Sequence, residues 1–267
     1  MGAWGPGLYS DDFALDLRAT IAAVCRLPMD GAEIVALLGD LEPVSRSADD
    51  EDYGTFWLVV ADQLHRRGIS SPARDRALAI IDDGSNLDML AALGMSGADL
   101  NKRRRNLQKL RDTLREPPPA KRRKTLEKPQ ALLLERAQVY LYPVDSRGNC
   151  VNPYMTDAIR PEFEPVGWGA FHVVATGHAL GYLAWYELAR SGKIIRRRPN
   201  VRKAMAAIKP SRRGLGTLTR LHASRMQLEL LGSAEPASAP APEESATIRV
   251  TASDISIANL LSLWRSG

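Results

Sequence analysis

The stretch from Trp168 to Leu188, WGAFHVVATGHALGYLAWYEL, constrains the fold of this chain more than any other part of it. Two apolar runs, Ala170 to Thr176 and Leu180 to Leu188, flank Gly177-His178. This pattern predicts a β-hairpin that turns at Gly177-His178 and buries most of both faces of its strands. An isolated two-stranded hairpin is only marginally stable in water, so other strands must cover it. We therefore expect a compact β-domain built around this hairpin.

The first half of the chain carries helical patterns instead. Apolar residues recur at helical spacing through Phe13 to Val24 and through Tyr53 to Leu64. Asp30 and Glu33 have the spacing of a capping box, which predicts a helix start. Asp99 to Arg115 predicts a long, strongly basic helix. We expect about five or six helices before residue 116.

The predicted fold class is α+β, with an all-helical N-terminal domain followed by a small β-rich, barrel-like C-terminal domain that ends in a helix. Pro117-Pro118-Pro119 cannot continue the basic helix and favour an extended spacer, so a domain boundary is expected there. The predicted ranges are 1–115 for the helical domain, 116–130 for a proline-rich basic linker and 131–267 for the β-rich domain.

Within the β-rich domain, Ala137 to Tyr142 alternates as a strand does and is closed by Pro143. A short helix is expected over Val201 to Ile208. The other predicted features are a strand pair at 215–221 and 226–231, a low-complexity loop at 233–246, a strand at 248–251 and a final helix from residue 253.

Charge is strongly segregated along the chain, although the formal net charge is only +5. Residues 1–99 carry 17 acidic and 7 basic side chains, residues 100–128 carry 12 basic and 3 acidic ones, and residues 190–213 carry 10 basic and no acidic ones. Because ten like charges repel one another, we expect a polyanion or an acidic surface to neutralise the segment 190–213. The predicted polyanion-binding residues are Arg196, Arg197, Arg198, Arg202, Lys203, Arg212 and Arg213.

Two partners fit this basic segment at the level of sequence: nucleic acid, and the acidic helices of the protein itself. Neither basic segment contains an aromatic residue, so contact with phosphates is expected rather than stacking on bases. In the first basic segment, Lys102, Arg105 and Lys109 lie near one another on a helix, which favours a solvated helix face.

A catalytic arrangement is poorly supported by the sequence. Cys150 with His172 or His178 would supply a nucleophile and a base, but no helix begins after Cys150 to lower the pKa of its thiol. No third residue that would orient the base can be named. We therefore expect no enzymatic activity.

Acidic clusters and glycines are explained by local structure rather than by ligands. Asp11, Asp12 and Asp16 form an acidic set near the start of the first helix. Ser10 is expected to cap this helix, and Asp11 and Asp12 lie in its first turn, so capping accounts for them. Gly214-Leu215-Gly216 lacks the rest of either nucleotide-binding fingerprint. No metal and no cofactor are expected.

Composition also predicts a cytoplasmic location without a membrane partner. The apolar runs fall far short of the ~20 residues that cross a bilayer. The opening residues MGAWGPGLYSDD turn acidic where a secretory signal would be basic and then hydrophobic. The two cysteines, Cys25 and Cys150, are consistent with a reducing compartment.

Two parts of the chain resemble bacterial families. Met1 to Gly7, MGAWGPG, followed by Asp11, Asp12 and Asp16, resembles a bacterial domain of unknown function that begins MGxWGxG with an acidic first helix. AQVYLYPV over Ala137 to Val144, with the later VNPY and GYLAWY, resembles the small β-domains of bacterial immunity-like proteins, in which a GDVFAYPL-type strand leads the sheet. Arg136-Ala137 stand where that second family has Gly-Asp.

These resemblances imply a protein of bacterial conflict systems that binds another macromolecule. The leading hypothesis is therefore a non-enzymatic macromolecule-binding protein, an immunity or defence component with a protein partner. The alternative is a nucleic-acid-binding protein that uses the arginine-rich segment 196–213.

Overall fold

The computed structural model describes residues 5–121, 123–154 and 163–234. The chain divides into two compact units, one that runs to Glu127 and one that begins at Lys128. The first is helical and the second is built on an antiparallel sheet, so the predicted α+β fold class is confirmed. None of the helices in the described ranges has an apolar stretch long enough to span a membrane.

The helical unit contains, within its described residues, six α-helices and one short 3-10 helix. They are α1 (Asp12–Val24), α2 (Gly31–Leu41), the 3-10 helix (Pro43–Arg46), α3 (Tyr53–Arg66), α4 (Ala73–Asp83), α5 (Ser85–Ala92) and α6 (Gly97–Arg115). The central helix is α3, which packs against α1 and α4 and has most of its side chains buried. The predicted number of helices is confirmed.

Local capping signals set the starts of α1 and α2. The capping box at α2 is confirmed, because the Asp30 carboxylate accepts from the backbone of Ala32 and Glu33 while Glu33 accepts from the Asp30 N–H. The prediction that Ser10 caps α1 is wrong by one residue. Asp11 is the cap, and its carboxylate accepts a hydrogen bond of 2.8 Å from the Phe13 N–H.

Residues 117–121 and 123–127 form neither helix nor strand, yet they group with the helical unit. The Arg123 guanidinium donates to the backbone carbonyls that follow α1, those of Cys25, Leu27 and Met29. Lys121 Nζ donates to the carbonyl of Arg66 at 3.0 Å. The unit therefore extends past the proline triplet at which we expected it to end.

The sheet unit contains a five-stranded antiparallel sheet in the order β4-β3-β2-β1-β5, curled into a half-barrel. Its elements are β1 (Gln138–Val144), β2 (Gly167–Ala179), β3 (Leu183–Ser191), α7 (Val201–Ala207), β4 (Ile208–Gly216), α8 (Arg220–Arg225) and β5 (Glu229–Ser233). The short helix expected over 201–208 is confirmed as α7. The central hairpin is confirmed as β2 and β3, which occupy the middle of the sheet with β1.

The hairpin turns three residues later than its sequence predicts. Gly177 and His178 lie inside β2, paired with Trp185 and Ala184. The turn is at Leu180-Gly181, both with positive φ (50° and 73°), which is the backbone of a type I′ turn. Position 177 requires glycine because a Cβ there would lie 2.8 Å from the indole of Trp185 across the hairpin.

Two strand predictions at the ends of the sheet need correction. Pro143 lies within β1 rather than after it, opposite Trp168. It is tolerated because the pairing of β1 with β5 covers only Gln138 to Leu141, so the missing N–H breaks no bond to β5. The expected strand pair at 215–221 and 226–231 is not formed, since β4 and β5 lie on opposite edges of the sheet. The predicted features from residue 235 onward lie outside the described residues.

Candidate functional site

The helix α7 has one apolar side and one basic side. Its Val201, Ala204 and Met205 pack in a cluster on one face of the sheet with residues of β1 and β2. Arg202 and Lys203, in the first turn, are exposed on the other side. The Asn200 side chain caps the helix by accepting from the Lys203 N–H. The sheet therefore fixes the position from which these two cations face outward.

The segment before α7 is held to the sheet by its backbone. Trp168 and Ile195 form a β-bridge, with N–H···O distances of 2.9 Å and 2.8 Å. The approach is close, since a Cβ on Gly167 would lie 2.9 Å from the Ile195 carbonyl oxygen. Arg196 and Arg197 follow this bridge directly and are exposed. Their backbone is thus anchored although their side chains are in solvent.

Arg198 has partners within the sheet unit. Its guanidinium lies over the ring of Trp168, 5.8 Å from the centroid, and forms an ion pair with Glu229 of β5. Sequence distance hid both partners, because Trp168 is thirty residues before Arg198 and Glu229 is thirty-one residues after it. An aromatic ring does lie against the basic segment, and Arg198 itself lies over it.

The basic residues of β4 differ from those around α7. Arg213 forms an ion pair of 3.6 Å with Glu187 of the neighbouring strand β3. The aliphatic part of Lys209 covers Gly192, because a Cβ there would lie 2.8 Å from its side-chain carbons. The Arg212 side chain lies outside the described part of the structure. The sheet unit therefore neutralises Arg198 and Arg213 with its own acids.

Four of the predicted polyanion-binding residues remain exposed without a carboxylate in ion-pairing range among the described residues. We call these four the basic surface: Arg196, Arg197, Arg202 and Lys203. They come from one anchored segment and one capped helix that follow each other in the chain. Their arrangement presents four positive charges to solvent and can bind an extended anion.

The basic helix α6 is divided by burial in a way that sequence reasoning missed. Lys102, Arg105 and Lys109 are exposed, as expected for a solvated face. Arg103 is only 4% exposed. It lies four residues before the buried Leu107 on the apolar stripe of α6, and that spacing was a signal that it faces inward.

The structure does not join Cys150 and His172 into a nucleophile and base. Cys150 is buried in the core cluster on the face of the sheet that holds Tyr142. His172 pairs directly with Val139, whose side chain belongs to the cluster on the other face. Residues paired across strands share a face, so the sheet separates Cys150 from His172. The His172 ring is hydrogen-bonded through Nε2 to the carbonyl of Ala234, at 2.9 Å.

His178 has a structural partner as well. It lies near the turn end of β2, and its Nε2 is 2.7 Å from the carbonyl oxygen of Gln130. Cys150 follows the opposite end of β1, after the Asp145 turn. The geometry thus gives each imidazole a backbone partner instead of the thiol.

The acidic residues of the helical unit act locally. Asp11 caps α1, and Asp52 directly precedes α3 without making a capping bond through its side chain. Burial, with the nearby charges of Asp11, Glu51 and Asp50, raises the pKa of Asp52 to about 6. Within the described residues, no group of three or more His, Cys, Asp or Glu side chains is placed to hold a metal ion.

The basic surface is therefore the arrangement in the sheet unit that points most directly to a partner. No family model, no curated protein and no solved structure matches this chain.

Proposed function

We propose that this protein is a non-enzymatic macromolecule-binding protein whose basic surface contacts the phosphate backbone of a nucleic acid. The observation that carries the proposal is the exposure of Arg196, Arg197, Arg202 and Lys203 on two consecutive segments, without acidic partners in the described residues. When such cations contact phosphates, counterions condensed on the nucleic acid are released, and this release favours binding.

The neighbouring contacts support phosphate binding without sequence readout. Trp168, which lies against the basic segment, has Arg198 over its ring and packs against the apolar cluster that holds α7, so the ring is occupied by contacts within the protein. α7 has only seven residues, too few to lie along a groove as a recognition helix does. Contacts to phosphates fix position but carry no sequence information. We therefore expect similar affinities for duplexes of different sequence.

The first prediction concerns charge reversal on the basic surface. The variant R196E/R197E/R202E leaves Arg198 in place, because Arg198 holds Glu229 and Trp168 together. Four phosphate contacts predict a slope of about −4 for log affinity against log salt, and each lost contact reduces the magnitude of this slope by roughly 0.9. The variant should bind a 20-base-pair duplex at least about tenfold more weakly at low salt, with a slope close to −1. Fluorescence anisotropy over a series of salt concentrations measures both quantities.

The control changes the same charge elsewhere. R104E/R105E/K124E replaces three exposed cations of the helical unit and alters the net charge equally. It should retain most of the affinity and the salt slope. Loss of binding in this control with retention in the first variant would place the site in the helical unit and end the proposal. The partner is a protein if neither DNA nor RNA binds, while an acidic protein binds the parent chain and this binding requires Arg196, Arg197 and Arg202.

A further inference from the structure

A cleft of about 250 Å³ opens in the helical unit beside α3 and α6. Its polar lining includes Asp62 and Arg66 of α3 with Arg103 and Lys109 of α6. Leu107 and Leu110 of α6 supply an apolar wall. The volume lies just below the 300–1,000 Å³ typical of pockets for drug-sized ligands, so the cleft suits a smaller molecule.

Arg103 is a buried cation without an acidic partner. Only 4% of it is exposed, and its hydrogen bonds go to two neutral oxygens, Asn86 Oδ1 at 3.1 Å and the Gly7 carbonyl at 2.8 Å. No carboxylate in the described residues lies within ion-pairing distance of it. Burial lowers the pKa of Arg103 to about 10, with Asp11 opposing the shift from further away. Arginine is rarely buried unless it is paired, so this charge lacks its usual complement.

Among the described residues that line the cleft, the one acid is already neutralised. Arg66 Nε donates to both carboxylate oxygens of Asp62, at 2.8 Å and 2.9 Å, and the Tyr9 hydroxyl donates to the same carboxylate. The charges of Asp62 and Arg66 therefore cancel. The cleft keeps two uncompensated positive charges, on Arg103 and on Lys109.

We propose that this cleft binds a small organic anion whose carboxylate or phosphate group lies against Arg103 and Lys109 and whose apolar part lies against Leu107 and Leu110. The anion supplies the charge that Arg103 lacks, and the two leucines favour an organic anion over an inorganic one. The inference is independent of nucleic-acid binding, because the cleft and the basic surface belong to different units.

Isothermal titration of the full chain at constant ionic strength tests the proposal with four probes: inorganic phosphate, phenyl phosphate, benzoate and benzyl alcohol. Phenyl phosphate or benzoate should bind with a stoichiometry of one. The better aromatic anion should bind at least about tenfold more tightly than inorganic phosphate or neutral benzyl alcohol. The tighter of the two aromatic probes identifies the anionic group. Equal binding of all four probes, or binding of none, would overturn the inference.

Three variants locate the binding. R103M removes the buried charge, and K109E reverses the exposed charge at the rim. Each variant should lower the affinity for the aromatic anion at least about tenfold. Arg105 is an exposed arginine on the same helix, so R105M is the matched control and should bind like the parent protein. If R103M impairs folding, K109E still tests whether the anion binds in the cleft, because Lys109 is exposed. Unchanged binding in K109E and in folded R103M would show that Arg103 serves only to hold Gly7 and Asn86.

Discussion

Tyr142 and Tyr186 are both fully buried on the same face of the sheet, but their hydroxyl groups are in different states. Tyr186 Oη accepts a hydrogen bond of 2.7 Å from the Leu133 N–H. Tyr142 Oη is buried without a hydrogen-bond partner among the described residues, and burial holds its pKa well above the ordinary value. A buried hydroxyl destabilises the fold when it is unpaired and stabilises it when it is paired.

We therefore expect Tyr142→Phe and Tyr186→Phe to change stability in opposite directions. Y142F should raise the free energy of unfolding by about 1 kcal/mol, and Y186F should lower it by about 1 kcal/mol or more, because it leaves the Leu133 N–H unpaired. Urea denaturation followed by circular dichroism measures both. If Y142F proves as destabilising as Y186F, then the Tyr142 hydroxyl has a partner in the folded protein.

At this scale the sequence identifies residue types but not their neighbours. Gly177 is a residue type common in turns, but it lies within a strand and makes room there for Trp185. Arg103 stands in a run of four basic residues and is the one of the four that is buried. For Gly177 the deciding contact comes from the neighbouring strand, which periodicity within one segment cannot show. For Arg103 the spacing from Leu107 on α6 did indicate an inward side chain, but its partners Asn86 and Gly7 come from other segments.

Among the elements, α3 begins in an unfavourable electrostatic environment. Asp52 precedes it with a pKa of about 6, and the nearby Glu42 also has a raised pKa, because of burial and the charges of Asp16 and Asp52. The folded protein therefore holds a proton on Asp52 that the unfolded chain releases at lower pH. Stability should fall as pH rises from about 4 to about 6, and the loss should be complete above that range.

Asp52→Asn removes this pH dependence. D52N should raise the free energy of unfolding at pH 7.5 by on the order of 1 kcal/mol, a figure that allows for solvent screening of a partly exposed group. The gain should shrink as pH approaches 4. Asp49 is exposed in the same acidic run, so D49N is the control and should show no such trend. A gain that is equal at both pH values would contradict the assignment.

Elements with their own start signals were predictable, and elements defined by pairing were not. The capping box of Asp30 and Glu33 locates α2 because both bonds are made within four residues. The ends of β4 and β5 are set by β3 and β1, on which they pair, so the apolar pattern over 215–231 suggested a strand pair that the sheet does not contain. The sequence singled out the segment that carries the exposed cations, but the pairing of Arg198 and Arg213 with acids depended on strands remote in sequence.

For the molecule as a whole, the junction between the units is defined by hydrogen bonds rather than by the proline triplet. Arg123 satisfies three carbonyls beyond the end of α1, including that of Cys25 at 2.8 Å. The triplet stops α6, as its chemistry predicts, but the chain beyond it still belongs to the helical unit. Composition showed where a helix ends and could not show where a unit ends.

Arg123→Met tests this assignment in the full chain. The variant should destabilise the helical unit by roughly 2 kcal/mol, because it removes charge-assisted hydrogen bonds to backbone carbonyls. Amides of α1 should lose protection from hydrogen exchange, with little change in β1, β2 and β3. Lys124 is exposed, and K124M should match the parent protein. Equal loss of protection in α1 and in the three strands would show that the junction does not belong to the helical unit.

The β-bridge between Trp168 and Ile195 and the Asn200 cap have a further consequence for recognition. They hold the backbone that carries the four outward cations at set separations before any partner arrives. Association then restricts only the outer torsions of arginine and lysine, so little conformational entropy is lost in the main chain. For the polyanion binding that we propose, such a preorganised template should favour a polymer whose anionic groups match the spacing of the cations over one of equal charge that does not.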